Sequence, residues 1–406
     1  MRGPPFSLLS LLKKPEKIRL MSGAVDSRRD LQDEADAAAV AGDVARALQL
    51  LEEAAMAVDA SPEVWIKLSA MRRASGDVRG ALRAVEQALA LTPLDFTGLL
   101  LRASLLERLG DVRSGEAFEH AIAQAPPDDK IPIPMRKAVA NARLKAAEHQ
   151  TLLGARLASA IPSKLSGVER KRLERFASNA SRSTRHFHQE PTDFHYPGLP
   201  ELEFHDRVQF PELDAIEAAT ETIRGEFDAL IASQAAELVP YIQYPDHVPL
   251  AQWRELNQNK AWTAIHLLQN GSRVEANARL CPKTMGLLAK LPQPNVPGAS
   301  PNAMFSLLAP HTRIPPHTGV ANTRLVCHLA LIVPPDCGFR VGATTRQWEL
   351  GKAFVFDDTI EHEAWNDSDY LRVVLIFDLW PPALSGAERE AVAAVISAAG
   401  VSFDGA

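Results

Sequence analysis

Cysteine is scarce. Cys281, Cys327 and Cys337 are the only three in 406 residues, an odd number without the CxxC spacing of a zinc site or redox pair. That count fits a reducing, cytoplasmic compartment better than a disulfide-stapled secreted fold. Long apolar runs are missing too: no window approaches the ~18–20 residues of a membrane-spanning helix. Nor is there an excess of positive charge, since 44 Lys and Arg against 50 Asp and Glu leave a net −6. A broad polyanion-binding surface, and with it a nucleic-acid partner, is not expected. The early segment Phe6-Ser7-Leu8-Leu9-Ser10-Leu11-Leu12 is interrupted by serines and is followed, rather than preceded, by Lys13 and Lys14. This is not the layout of a secretory signal. Residues 1–25 read as a flexible leader, with Met21 a candidate start of translation.

Hydrophobic residues at 46% and charged residues at 23% are those of ordinary globular protein. The length exceeds one typical core, so two or three domains are expected. Gly-Asp-Val recurs at 42–44, 76–78 and 110–112, a spacing of 34 residues each time. That is the tetratricopeptide period. The middle copy carries Trp65, Leu68, Gly76, Ala81, Val85, Ala88 and Pro93 where two paired helices and their turn need them. The third copy is irregular just ahead of Ala117-Phe118, as terminal repeats often are. Repeats over 26–127 would present a concave surface to a peptide or partner protein, or form a helical appendage.

Residues 128–195 read as a helical linker, with a helix from Arg136 to Ala158. They end in Arg185-His186-Phe187-His188, whose two histidines have no further ligand types close by in sequence. A surface or interdomain role is expected for that pair. From 196 to 385 the texture changes to one amphipathic helix, Leu213 to Ser233, and then short β-rich runs. Met304–Leu308, Thr323–Val333, Gly338–Val341, Ala353–Phe356 and Leu371–Leu379 are rich in Val, Ile, Leu and Phe and bounded by turn residues, which predicts strands. Many short strands with long connections suggest a double-sheet jelly roll, followed by a C-terminal helix or tail over 386–406. The fold class expected is α+β multidomain: an all-α tetratricopeptide solenoid, then a cupin-like double-stranded β-helix.

His317 lies in Pro315-Pro316-His317-Thr318-Gly319, read as a loop, and His362 follows 45 residues later. Mononuclear iron oxygenases commonly hold their metal with two His and one carboxylate. At the position two after the first His, where that carboxylate normally sits, this chain has Gly319. Asp357, Asp358, Glu361 and Glu363 around His362 are a solvated turn, or contribute an acceptor that orients an imidazole. A third ligand from this cluster is not expected, because neighbours on one turn rarely reach the opposite coordination position. Arg372 sits among apolar residues, and a buried guanidinium needs an anion. A structural salt bridge would satisfy it, and so would a dicarboxylate gripped by its planar fork. His328, in Leu325-Val326-Cys327-His328-Leu329, is a core histidine or a second contact to the same molecule.

From about Tyr196 to Pro382 these residues resemble the aspartyl/asparaginyl β-hydroxylase family of iron(II)- and 2-oxoglutarate-dependent dioxygenases. The likeness runs through Phe305-Ser306, Pro316-His317-Thr318-Gly319, Asn322-Thr323-Arg324-Leu325, His328-Leu329, Trp348, Gly351-Lys352, Phe356-Asp357-Asp358 and Glu361-His362-Glu363. In that family two histidines hold iron without a protein carboxylate, so Gly319 is what the resemblance implies. By the same resemblance His317 and His362 would be the iron ligands. Arg372 and Ser306 would hold the distal carboxylate of 2-oxoglutarate, His328 would contact its other end, and Arg324 and Trp262 would meet the substrate. The implied reaction uses O2 to hydroxylate the β-carbon of an aspartyl or asparaginyl residue in a peptide or protein, releasing succinate and carbon dioxide. Three positions depart from the pattern. Val326 replaces a basic residue, Met304 replaces the lysine of the animal enzymes, and Cys281 stands where they have a cysteine pair. Fewer cations weaken the grip on an acidic side chain, so a lipid acyl chain and a free or carrier-bound amino acid are alternative substrates. A non-catalytic repeat scaffold is the rival outside enzymes.

Overall fold

The computed structural model describes residues 31–234, 236–245, 247 and 253–400. The expected leader over 1–25 lies outside them. The chain divides between Thr184 and Arg185 into two compact units.

Among the described residues the first unit is built of helices. Its elements are α1 (residues 31–40), α2 (Val44–Ala55), α3 (Pro62–Ala74), α4 (Val78–Leu91), α5 (Phe96–Arg108), α6 (Ser114–Ala123), α7 (Arg136–Ser159) and α8 (Gly167–Ala180). The recurring Gly-Asp-Val is the turn inside each helix pair. Gly42, Gly76 and Gly110 take φ of +80°, +90° and +66°, a region L-residues rarely adopt. Asp43 and Asp77 then cap α2 and α4, accepting from the N–H of Arg46 at 3.0 Å and Gly80 at 2.8 Å, which satisfies a backbone donor the helix leaves unpaired. In the third copy Asp111 pairs with Arg113 at 2.7 Å instead, and α6 starts late, without a side-chain cap. That is the physical form of the irregularity before Ala117.

The linker expected over 128–195 is divided by the structure. Val139, Ala142 and Ala146 of α7 join Leu100, Ala103, Leu106, Phe118 and Ala121 in one core cluster. Gly115 lets α7 come close, since a Cβ there would stand 2.3 Å from the His149 ring. So α7 continues the helical stack, while residues from Arg185 onward belong to the second unit.

The second unit holds helices α9 (Leu213–Ala218), α10 (Thr220–Ala232), α11 (Glu275–Ala278), α12 (Pro282–Leu288) and α13 (Gly386–Ala399). Its strands are β1 (Val239–Pro240), β2 (Trp262–Gln269), β3 (Ser272–Arg273), β4 (Ala303–Leu308), β5 (Thr312–His317), β6 (Leu325–Ile332), β7 (Cys337–Val341), β8 (Thr344–Arg346), β9 (Ala353–Phe356), β10 (His362–Asn366) and β11 (Arg372–Leu379). A large antiparallel sheet runs β1-β2-β4-β11-β6-β9, with β3 beside β2, and a small one runs β5-β10-β7-β8. From β4 onward the eight strands form two four-stranded sets, the layout of a double-sheet jelly roll.

Alternation along the strands gives the large sheet two different faces. Phe305, Leu307, Cys327, Leu329, Leu331, Val373, Leu375 and Phe377 pack on Leu213, Ile216, Ile223, Phe227 and Leu288 of the covering helices. The residues between them, Met304, Val326, Ala330, Val374 and Ile376, pack with Ile314, Phe339, Val341 and Ala364 of the small sheet. Ser306, His328, Arg372 and Asp378 belong to this inner face, and all are buried.

Two expectations need correction, and the helix or tail expected over 386–406 is a helix over Gly386–Ala399. The helix expected over Leu213–Ser233 breaks at Ala219, where the Thr220 hydroxyl donates to the Glu217 carbonyl at 2.6 Å and competes with the backbone. The segment around His317 is strand β5 rather than loop. It is an edge strand, where Pro315 and Pro316 leave no ladder bond unmade on the open side. The C-terminal helix is part of the unit, with Val392 and Ile396 packed on Val296, Ala299 and Trp380. In the first unit, Phe118→Ala empties a fully buried site and should destabilise the repeats by ~3–5 kcal/mol. Urea unfolding followed by far-UV circular dichroism measures this, and a change under ~1 kcal/mol would contradict its place in the core.

Candidate active site

Cross-strand register brings the two histidines together. β10 pairs antiparallel with β5, and His362 lies directly opposite His317. Their ring centroids are 4.0 Å apart. Each ring is set by its own backbone: His317 Nδ1 lies 2.8 Å from the Pro315 carbonyl and His362 Nδ1 lies 3.1 Å from the Ile360 carbonyl. A carbonyl oxygen can only accept, so Nδ1 carries the proton and donates in both rings. The lone pair of each neutral ring is therefore on Nε2. Burial holds His317 down to about 4; burial, with neighbouring His317 adding to it, holds His362 well below its ordinary value. Both rings are neutral at physiological pH, the form a metal takes.

Beside them is a cavity of about 260 Å³. Arg372 lines it, fully buried, on β11. Among the described residues no carboxylate pairs with it. Its Nη1 reaches only the Ser306 carbonyl and hydroxyl, both at 3.5 Å, and its Nε has no hydrogen-bond partner. The guanidinium stacks 4.9 Å from Trp348, and burial lowers its pKa to about 10. The structural salt bridge that would have satisfied it is absent. Trp262, stacked on Tyr241 at 3.8 Å, donates its indole N–H to the Ser306 hydroxyl at 3.2 Å. The Trp348 indole donates to His328 Nδ1 at 3.4 Å, leaving His328 Nε2–H as a donor in the cavity lining. Burial, and then the charge of Arg372, keep His328 neutral.

Arg324 stands differently. Its guanidinium lies 2.9 Å from Asp358 and 3.4 Å from Asp378. Burial alone would depress it, but these two acids raise its pKa. Its charge is thus already matched within the protein. Asp378 is further held by Ser300 at 2.7 Å and the Asn302 N–H at 2.8 Å.

Asp358 is the residue sequence reasoning set aside. A Cβ on Gly319 would stand 2.2 Å from Asp358 Oδ2 and 2.8 Å from Oδ1, so this carboxylate fills the volume a side chain at 319 would take. Oδ1 is buried without a partner. Burial pushes its pKa up to about 6 against the pull of Arg324, with Asp357 and Asp378 adding to the rise. Asp357 instead ties down the turn, accepting from the Thr359 N–H at 3.0 Å and hydroxyl at 2.6 Å, and from Gln189. Gln189 lies on a strap formed by residues 185–190. It bridges to Ile360, and Glu190 N–H donates to the Thr359 carbonyl at 2.8 Å. Tyr241, Ile242, Tyr244, Trp253, Met304, Ile314, Val326 and Ile376 form the apolar and aromatic part of the wall, beside the polar Thr192, Asn270, Asn302 and Thr318. For Met304, Val326 and Ile376 the signal was the inward phase of their strands.

The arrangement offers two neutral imidazole lone pairs and one buried cation without an anion, with the Asp358 carboxylate beside Gly319 and paired to Arg324. Such a donor set suits a divalent first-row metal with an anionic co-ligand.

A family model described as aspartyl/asparaginyl β-hydroxylase matches residues 217–382. Human aspartyl/asparaginyl β-hydroxylase is 36% identical over 148 residues, covering 36% of this chain and 19% of the relative. The ornithine lipid ester-linked acyl 2-hydroxylase of Rhizobium tropici is 33% identical over 201 residues, covering 49% of this chain and 67% of the relative. The chain spans about a fifth of the length of the human relative it matches. Among solved structures, PcrH from Pseudomonas aeruginosa aligns with 30% of this chain and 91% of its own, at 18% identity and a TM-score of 0.27.

The Gly319–Asp358 contact predicts a coupled pair. Gly319→Ala alone should destabilise the second unit by ~1–3 kcal/mol through overpacking, a fall of several degrees in thermal midpoint. In an Asp358→Ala background the same change should cost markedly less. Additive losses in the double-mutant cycle would contradict the contact.

Proposed function

This chain belongs to the aspartyl/asparaginyl β-hydroxylase family, and from that premise we propose that it is an iron(II)- and 2-oxoglutarate-dependent dioxygenase. The observation that carries this reading is Arg372, a buried guanidinium without an anion, in the same cavity as a histidine pair with both Nε2 lone pairs available. His317 and His362 would hold iron(II), and Asp358 would supply negative charge at the side where Gly319 has no side chain. Iron(II) with 2-oxoglutarate and O2 supplies the oxidising power to hydroxylate an unactivated C–H bond, releasing succinate and carbon dioxide.

The protein's own share is binding and placement. Arg372 would grip the distal carboxylate of 2-oxoglutarate, a charge-assisted contact that also satisfies its burial. The Ser306 hydroxyl, held by Trp262, would share that carboxylate, and His328 Nε2–H would donate to the other end. Ser306, His328 and Arg372 are buried, and the lower local dielectric strengthens each of these contacts. Arg324 acts as a positioning residue for Asp358, besides facing the substrate space.

For the substrate we propose the β-carbon of an asparaginyl or aspartyl residue in a peptide, with the N-terminal repeats holding the polypeptide. Because Asp358 and Asp378 already neutralise Arg324, the uncharged asparaginyl side chain fits better than the aspartyl. The apolar wall of Ile242, Met304, Ile314, Val326 and Ile376 supports a second reading, hydroxylation of an aliphatic acyl chain. Among the described residues no helix is long and apolar enough to cross a membrane. The three cysteines are free and buried, which fits the proposed reducing cytoplasm. A non-catalytic scaffold would leave the unpartnered, buried Arg372 unexplained.

His317→Ala and His362→Ala should each abolish conversion of 2-oxoglutarate to succinate, and substantial residual succinate would sink the iron assignment. Arg372→Ala should raise KM for 2-oxoglutarate by ~10²-fold, from the loss of about 3 kcal/mol at a buried charge pair. For the substrate, mass spectrometry for the gain of one oxygen atom should favour asparaginyl over aspartyl peptides by roughly 10-fold or more, the cost of a carboxylate lacking a counter-cation. Oxygen gained only by an acyl lipid would favour the second reading.

A further inference from the structure

Away from the cavity, a second set of ligand-bearing side chains stands on the surface of the same unit. His186 and His188 lie on the strap, and residues two apart on extended chain face the same way. The two rings meet with centroids 4.1 Å apart, and His186 Nδ1 lies 3.0 Å from His188 Nε2. Glu201 comes up against both. Its Oε1 accepts from the Gln189 N–H at 3.1 Å, which turns Oε2 toward the rings, 3.2 Å from His188 Nδ1 and 3.9 Å from His186 Nε2. One ligand atom from each of the three residues lies within 4.8 Å of the other two.

We propose that His186, His188 and Glu201 form a surface site for a divalent transition metal, with zinc(II) as its first candidate, separate from the cavity pair. Zinc bound tetrahedrally at its usual bond lengths of ~2.0–2.1 Å spaces its ligand atoms about 3.3 Å apart. One ligand atom from each of the three exposed residues lies within 4.8 Å of the other two, so small side-chain rotations bring one nitrogen of each ring and one carboxylate oxygen to that spacing. Two imidazoles and one carboxylate select a borderline ion over calcium or magnesium, which prefer oxygen cages. Charge agrees, since two imidazole ligands and one carboxylate bring one negative charge to a divalent cation. The Arg185 guanidinium on the same strap is turned to Glu361 at 3.0 Å and to the Phe187 ring. Position gives the site a consequence. Gln189, whose backbone fixes Glu201, also donates from its side chain to Asp357 and accepts from Asn322 at 2.9 Å. A metal here would tie the strap to Glu201 and so hold Gln189, which is hydrogen-bonded to Asp357 on the turn that also carries Asp358.

The experiment uses the full chain without an affinity tag, freed of metal, carrying His317→Ala and His362→Ala. Titrated with zinc(II) in a calorimeter, this protein should bind one equivalent, and adding His188→Ala or Glu201→Ala should weaken binding at least 10-fold. Zinc(II) should also raise the thermal midpoint of the parent but not of the His188→Ala protein. If the double-alanine chain folds poorly, the wild-type chain serves, and His188→Ala should then lower zinc stoichiometry by one. No zinc bound with the cavity pair removed, or binding indifferent to His188 and Glu201, overturns the proposal and leaves the cluster a hydrogen-bonded His-His-Glu relay.

Discussion

The register between β5 and β10 is the constraint on which the rest of the second unit depends. Because His317 lies opposite His362, two residues 45 positions apart present their rings from neighbouring strands without relying on any loop conformation. A slip of one residue would turn one ring to the outer face of the small sheet. What prevents the slip is ordinary packing. Ile314 pairs with Ala364 across a register shift that separates them from the histidine pair, and both are buried against Phe339 and the inner face of the large sheet. The hydrophobic core thereby sets the geometry of a polar site.

Within that frame, charge is distributed unevenly. The cavity lining contains two arginines, and the protein has matched only one of them. Arg324 is held between two acids, so it behaves as part of the wall. Arg372 is held by its burial and by Trp348, with only long contacts to Ser306. Leaving a guanidinium in this state costs folding free energy, and such a cost is commonly offset by a ligand that binds the folded state. The same contrast explains why an arginine in a cavity is not by itself evidence of an anion subsite: its carboxylate neighbours decide.

Much of this was legible in the sequence. The 34-residue recurrence of Gly-Asp-Val gave the helical repeats, because the same glycine and capping aspartate are needed at each turn. Strands β4, β6, β9 and β11 could be read because their two buried faces make continuous apolar runs. The polar intruders in those runs, Ser306, His328 and Arg372, proved to share the inner face. Other parts were hidden for physical reasons. β5 contains two prolines, which only an edge position accommodates, and edge status is a property of the sheet. Helix α7 joins the solenoid through Gly115 and His149, a contact no local pattern announces. No third ligand was expected from the turn beside His362, and the direction of its Asp358 was not legible. That turn, pinned by Asp357, Thr359 and Gln189, aims its carboxylate at the space beside Gly319, and a one-dimensional spacing rule does not contain that direction.

The strap formed by residues 185–190 bears on how the chain assembles. Gln189 and Asp357 are 168 residues apart, and the strap precedes residue 217, where the family match begins. During synthesis it emerges long before the turn it braces, so that turn is secured across one of the longest loops the unit makes. Contacts of this reach form slowly, since the entropy of loop closure must be met before they contribute stability. A chain shortened to the family match alone would keep both histidines and Arg372 yet lack the brace on the Asp357–Asp358 turn. The boundary of the folding unit is therefore set at Arg185 by topology, ahead of the point where sequence likeness starts.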